Sequence, residues 1–326
     1  MQPKFSIMVP LYNKAPYVRK ALDSIVSQTF SDWECIIVDD GSTDNSAAIC
    51  EEFILPFIHS SVHPIRLIRQ PNSGVARARN VGVENSRGEY VCFLDADDWW
   101  EPTFLEEMDK LTKEYSDAGL YATNYVYYKP GKTHVALNIE RGYMNYPEAY
   151  LYDLTMPVTS ITTCMPRRVF DEMGGFPLGI KLGEDFLLWA KTALHYKVAF
   201  CEKPLAYYNN DVPVSMRATR NLHKPEYLML FNLEEIEREV RGKREEVREE
   251  WMALLDKLRV EGLMAYWLSD EYHKVAAAEL KKVDWSKLPK TARAQYEMPI
   301  WWLKTKRKIM QIGSFFKQKL VRLINR

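Results

Sequence analysis

The chemically suggestive residues of this chain are carboxylates, and they fall in three short groups. The run Phe93-Leu94-Asp95-Ala96-Asp97-Asp98 closes an apolar stretch. In an extended backbone, side chains two apart share a face, so Asp95 and Asp97 are expected to project together. Three carboxylates in four residues oppose one another's ionisation unless a cation sits among them. A hard ion such as Mg²⁺ or Mn²⁺ suits such a pair, and a solvated acidic turn would use the same residues. A second group, Asp39-Asp40-Gly41-Ser42-Thr43-Asp44, follows another apolar run. Helix capping by Ser42 or Asp44 accounts for part of it. It leaves two adjacent carboxylates, one of which could accept a pyrimidine N3–H or a ribose hydroxyl. The third group, Gly183-Glu184-Asp185-Phe186, opens an apolar helical stretch. The helix dipole favours acidic groups in a first turn, and a carboxylate there is also a candidate general base. Tyr12, just past Val9-Pro10-Leu11, is either a packing ring or a platform for a planar base.

Alternating elements must position these groups. Apolar, β-prone runs at Phe5–Leu11, Glu34–Val38, Ile65–Arg69 and Tyr90–Leu94 are separated by helical spacing at 14–28, 46–57 and 75–85. A β-α-β-α-β-α-β order predicts a mostly parallel, doubly wound sheet with helices on both faces. Ligands of such sheets sit beyond the carboxyl ends of the strands, which is where Tyr12, Asp40 and Asp95–Asp98 fall. A helix at 102–114 and a strand at 120–128 follow, and the pattern then loosens through 131–163. Short helices are expected at 166–173 and 184–195, and a strand with a turn at 197–208. Beyond Pro225 two helical stretches, the Glu/Arg-dense 226–257 and then 274–282, replace the sheet pattern, placing a domain boundary near residue 222.

Composition narrows the class. The 326 residues hold 44 Lys+Arg and 44 Asp+Glu, which gives no overall bias toward nucleic acid. Residues 299–326 contain eight Lys/Arg and no acid, so residues 1–298 carry 36 bases against 44 acids, a net charge of minus eight. Five scattered cysteines without a Cys-x-x-Cys predict buried free thiols rather than disulfides or zinc. The N-terminus lacks signal-peptide architecture and no apolar run approaches the ~20 residues of a bilayer span. A cytoplasmic protein is expected.

Taken together, the blocks Ser6–Asn13, Ser27–Phe30, Trp33–Ser42, Asn72–Asn80, Gly88–Asp98 and Gly183-Glu184-Asp185 resemble glycosyltransferase family 2, inverting enzymes with a GT-A fold. The resemblance covers about residues 4–212. It implies an α/β GT-A domain over 1–222 and leaves 223–326 as a helical extension. By the same resemblance Pro10 and Tyr12 would flank the nucleotide base and Asp40 would bond to it, while Asn72 and Arg79 would lie near the nucleotide and its phosphates. Asp95 would contact the ribose or the metal, Asp97 would ligate Mn²⁺ or Mg²⁺, Asp185 would be the catalytic base, and Glu184 would orient the base or the acceptor. The family's Tyr-Tyr-Arg-x-His-like stretch reads Tyr207-Tyr208-Asn209-Asn210-Asp211, so Asp211 stands at the histidine position as a candidate metal ligand. The Gln-x-x-Arg-Trp signature of processive synthases is missing, which implies transfer of one sugar at a time. The implied partners are a nucleotide-diphosphate sugar, with UDP first, and a glycan or lipid-linked acceptor of cell-surface polysaccharide synthesis; a homo-oligomer is left open. Two rival classes are a nucleotidyltransferase on a similar sheet, for which 10–14 lacks the Gly-rich basic loop, and a non-catalytic carbohydrate-binding scaffold, which would not need the aspartates.

The C-terminal tail stands apart. Trp301 and Trp302 precede Lys304, Lys306, Arg307 and Lys308, and apolar residues then interleave with Lys317, Lys319 and Arg322. That pattern fits either an interfacial helix on the inner leaflet of a membrane or a helix packed on protein.

Overall fold

The computed structural model describes residues 2–57, 64–152, 154–216 and 222–305. Four parallel strands form the first half: β1 (Phe5–Leu11), β2 (Trp33–Asp39), β3 (Ile65–Arg69) and β4 (Tyr90–Phe93). They lie in the order β3-β2-β1-β4, with Leu11 level with Asp39 and Met8 level with Phe93. Every residue of β2 is buried and β1 is buried except at Pro10, as expected of parallel strands covered on both faces. Helices α1 (Val18–Val26), α2 (Ser46–Ile54) and α3 (Val75–Glu84) make the crossovers. α1 begins four residues later than its apolar spacing suggests, because 12–17 form the loop that carries the strand-end chemistry.

The second half extends the same sheet. Past a two-residue strand β5 (Trp99–Trp100) and helix α4 (Phe104–Glu114) comes β6 (Ala118–Tyr128). The loosely patterned region holds β7 (His134–Val135), β8 (Gly142–Met144), α5 (Tyr146–Leu151) and β9 (Thr163–Pro166). After α6 (Arg167–Met173) and α7 (Glu184–His195), β10 (Lys197–Asn209) completes the set. The full order is β3-β2-β1-β4-β9-β6-β10-β5, with β7 on β6 and β8 on β10. β9 is antiparallel to both β4 and β6, whereas β10 runs parallel to β6. The sheet is thus mixed, and a four-residue strand with no alternating pattern lies at its centre. All five cysteines are free and buried.

By its internal contacts the chain forms two compact units, Met1–Trp251 and Met252–Arg326. The stretch expected to be helical from 226 is broken: two 3₁₀ turns precede α8 (Glu234–Arg241), and α9 runs Glu245–Gly262. The break falls at Gly242 and Lys243, where Lys243 Nζ instead bonds the carbonyl of Leu194, the last turn of α7. The second unit carries α10 (Met264–Trp267), α11 (His273–Leu280) and α12 (Lys290–Glu297). In it Arg259 is fully buried and paired with Glu279 at 3.2 Å. Among the described residues no helix is long and apolar enough to cross a membrane.

Candidate active site

Parallel pairing brings the exits of β1, β2 and β4 to one edge. The β1 exit turns through Asn13, a left-handed residue at φ 52°. Its side-chain oxygen accepts from the amides of Thr43 (2.8 Å) and Asp44 (3.3 Å), and its own amide donates to Ser42 Oγ at 3.1 Å. Asn tolerates this backbone better than most side chains, so Asn13 fastens the first loop to the second. Tyr12 is 46% exposed beside it, and Pro10 is half-buried.

Asp40 is buried, and its carboxylate is largely committed. Oδ1 accepts from Gln70 Nε2 (2.6 Å) and the Ser73 amide (2.8 Å), and Oδ2 accepts from the Gly74 amide (2.8 Å). A carboxylate offers about four acceptor positions, so one is left for a ligand. Gly41 allows this closeness: its φ is +75°, and a Cβ there would stand 3.0 Å from the Asn72 amide. Asn72 itself is exposed on the loop so held.

Asp95–Asp98 form a tight turn, closed by the Asp98 amide on the Asp95 carbonyl at 3.0 Å, rather than the extended strand expected. The shared face survives in another form. Asp95 and Asp97 keep partial exposure, while Ala96 and Asp98 are buried. Each carboxylate meets a different partner. Asp95 Oδ1 accepts from Arg79 at 2.8 Å, Asp97 Oδ2 from Lys14 Nζ at 2.5 Å, and Asp98 Oδ1 from the Asn209 amide at 2.7 Å. Burial, then the neighbouring Asp97 and Asp95, raises Asp98 well above the usual carboxylate range. Burial also raises Asp97, with Lys14 partly offsetting it.

Arg79, on α3, reaches both ends of the site. Its side chain is 4% exposed and bonds Asp95 at 2.8 Å and Glu184 at 2.7 Å. Burial alone would lower its pKa, but Asp95, Glu184 and Asp185 outweigh burial and keep the guanidinium charged. Its Nε is buried with no hydrogen-bond partner among the described residues. Glu184 and Asp185 open α7 after Gly183, whose left-handed φ of 84° only glycine adopts without strain. Glu184 is buried and spent on Arg79. Asp185 is partly accessible and poorly solvated: Oδ1 accepts from the Phe186 amide at 2.8 Å, and among the described residues Oδ2 has only a long 3.5 Å contact with Ser160 Oγ. Burial, then the charge of Glu184, pushes its pKa up to about 7 against the pull of Arg79.

Among the described residues no three His, Cys, Asp or Glu side chains converge into a cation cage, and Asp211, exposed in the turn after β10, does not join Asp95 and Asp97 in one. The donor set still fits a hard divalent ion, since Mg²⁺-type sites commonly use one or two carboxylates and complete their shell with ligand phosphates and water.

Two features escaped the sequence reading. Lys14 was legible only as the end of a non-basic loop, yet it is the cation on Asp97. A set of tyrosines accompanies both carboxylate groups: Tyr208 is raised by burial and by Asp98, Asp95 and Asp97, and Tyr150 by burial and Asp185. Tyr127 packs on Tyr208 (5.7 Å between ring centres) and on Tyr125 (5.1 Å), whose hydroxyl is 3.0 Å from its own. The signal was the same-face spacing of Tyr125 and Tyr127 in β6.

This mixed sheet with carboxylates at its strand ends defines a GT-A-like α/β protein. The chain belongs to glycosyl transferase family 2, whose family model matches residues 6–174, more than half of the 326. It is 36% identical over 220 residues to glycosyltransferase GlyA of Streptococcus pneumoniae, covering 63% of this chain and 30% of that protein. It is 40% identical over 124 residues to chondroitin synthase of Escherichia coli, covering 37% of this chain and 17% of that one. The chain thus spans less than a third of either relative. In structure it is similar to Staphylococcus aureus TarS residues 1–349 crystallised with UDP-GlcNAc, with TM-score 0.68, 18% identity, and coverage of 89% and 83% of the two chains.

Proposed function

We propose that this chain is an inverting glycosyltransferase that moves one sugar from a nucleotide-diphosphate sugar onto an acceptor hydroxyl. The observation that carries the proposal is the Arg79 bridge. It joins Asp95 at the strand ends to Glu184 beside Asp185, so that a donor site and a near-neutral carboxylate share one buried cation. Asp185 takes the acceptor proton as that oxygen bonds to the anomeric carbon. The carbon–oxygen bond to the diphosphate breaks with its electron pair on the phosphate oxygen, and a single displacement inverts the centre. A positioned carboxylate near its working pH contributes about 10²–10⁴-fold. Glu184, fixed by Arg79, orients the base. The remaining acceptor position on Asp40 would take the N3–H of uracil, with Tyr12 and Pro10 about the base and Asn72 and Arg79 toward the ribose and phosphates. Asp97 and Asp95 would hold Mn²⁺ or Mg²⁺, which when bound neutralises charge on the departing diphosphate.

UDP as the carrier is favoured by Asp40 and by the shared fold with TarS, which was crystallised with UDP. The acceptor is read as a glycan or lipid-linked glycan of cell-surface polysaccharide synthesis, reached from the cytoplasmic side. Of the basic tail, residues 306–326 lie outside the described residues; Trp301, 69% exposed, stands at its start. We infer that this tail holds the protein on anionic lipid, each Lys/Arg near the surface contributing about 1 kcal/mol. Flotation with anionic vesicles, with and without residues 298–326, tests that part.

The deciding experiment is a thermal-shift screen of UDP, dTDP and GDP with Mn²⁺, followed by NMR of the anomeric product with the binding donor. Stabilisation by a nucleoside diphosphate and an inverted product are expected. A protein that binds no nucleoside diphosphate, or a retained configuration, overturns the reading.

A further inference from the structure

Three carboxylates crowd into the Asp95–Asp98 turn, and the protein balances each differently. Asp98 is buried and raised, and accepts a backbone amide. Asp95 is held by Arg79, a planar guanidinium locked between two carboxylates at 4% exposure. Asp97 alone faces a primary ammonium on a flexible four-carbon stem, and both members of that pair keep access to solvent, at 17% and 20% exposure. Of the two cations that the described residues set at the turn, Lys14 is the one that can leave without tearing a buried network.

The backbone of Lys14 is pinned while its head is not. Its amide donates to Ser46 Oγ at 2.8 Å, and Asn13 before it is tied to the second loop by Thr43 and Asp44. The ammonium is otherwise held by Asp97 and by a 3.3 Å contact with the Met216 carbonyl. The stem therefore pivots from a fixed point beyond the carboxyl end of β1, the edge where α/β sheets receive ligands. An ammonium is a compact point charge with three rotatable donors, suited to exchanging a carboxylate for phosphate oxygens.

We infer that Lys14 is an exchangeable internal counter-ion of the donor site. In the donor-free protein it neutralises Asp97; when a metal–diphosphate pair arrives, Lys14 releases Asp97 and bonds the diphosphate. The inference rests on the proposed donor reading. It makes Lys14 a donor-binding residue that also suppresses metal binding in the absence of nucleotide. The exchange keeps the turn near charge balance in both states, which matters because unbalanced carboxylates here are poorly solvated.

The test compares the full-length protein with Lys14→Met and Lys14→Arg. Free Mn²⁺ is followed by electron paramagnetic resonance without nucleotide, and UDP affinity by calorimetry at saturating Mn²⁺. Lys14→Met is expected to bind Mn²⁺ alone several-fold more tightly, since its competitor is gone, yet UDP about tenfold more weakly. Lys14→Arg should lie between Lys14→Met and the natural protein in both. A purely structural ion pair would move the two affinities in the same direction, and that result, or an unchanged Mn²⁺ affinity in Lys14→Met, overturns the inference. The Mn²⁺ titration needs no nucleotide, so it stands even if UDP is the wrong carrier. Failure of the natural protein to bind any nucleoside diphosphate would count against the proposed function instead.

Discussion

Asp40 and Asp185 are both acidic residues at element junctions of one site, and the chain treats them in opposite ways. Asp40 receives three hydrogen bonds from Gln70, Ser73 and Gly74, which fix its oxygens as acceptors. Asp185 receives one strong bond, from the next amide, and one long contact, and burial beside Glu184 raises it to about 7. Both are largely withdrawn from water, so the number of donors aimed at each carboxylate decides whether its oxygens are tied down or left open. The β1–β4 half is built for the first outcome, with loops fastened to one another by side-chain-to-amide bonds. The half after β6 is built for the second, with a helix start whose other acid is already neutralised by Arg79.

The contrast can be broken most severely at the metal-ligating candidate. Asp97→Ala is expected to abolish transfer and remove the Mn²⁺-dependent part of UDP binding, while circular dichroism stays unchanged. Activity that persists in this variant or in EDTA would remove the metal from the mechanism. Next in size is Asp185→Asn, expected to cut turnover by about 10²–10⁴-fold with donor affinity nearly unchanged. Collapse of UDP binding in that variant would make Asp185 a binding residue and dissolve the distinction from Asp40.

Stability sharpens the comparison further. Arg79→Met leaves Glu184 buried without its cation, and breaking a buried pair of this kind costs about 3–5 kcal/mol, with partial exposure of Asp95 favouring the lower end. Denaturant titration measures it. A loss below about 1 kcal/mol would mean that Arg79 is held by substrate rather than by the fold.

The pH dependence has a definite sign. As the proposed base, Asp185 would have to be ionised, so kcat/KM is expected to rise with pH and level off above about 7. Its folded pKa lies above its ordinary value, so the folded state holds the extra proton, and ionisation destabilises the fold as pH rises through that window. Asp185→Asn should therefore melt higher than the natural protein at pH 8, with the difference fading toward pH 4. The smallest expected effect is at Arg19–Asp23, an exposed i,i+4 pair on α1. Arg19→Ala should change stability by less than about 0.5 kcal/mol and leave turnover alone.

The first half of the fold was legible because parallel buried strands and amphipathic crossover helices each impose a strong local period; β1 and β3 fall where the apolar runs place them, and α7 begins and ends where its pattern does. β9 was not legible. Thr163–Pro166 is four residues long, carries a proline, and is a strand only because β4 and β6 offer it hydrogen-bonding edges on both sides. The stretch after 225 is expected to be helical throughout because of its Glu/Arg content, but the helix breaks at Gly242, the C-cap of α8, where Lys243 bonds the Leu194 carbonyl.

By itself the sequence determined which carboxylates cluster, because adjacency in the chain puts Asp95, Asp97 and Asp98 within one turn and Glu184 beside Asp185. It could not determine their partners. Arg79 and Glu184 are 105 residues apart, and Lys14 and Asp97 are separated by 83. Only the tertiary arrangement, which sets β1 against β4 and packs α7 on β6 with Trp189 against Phe93 of β4, brings those charges within bonding distance. Which acid is neutralised, which is tied down and which is left to take a proton is thus a property of the tertiary structure, since a carboxylate's chemistry depends on the charges and donors around it rather than on its neighbours in sequence.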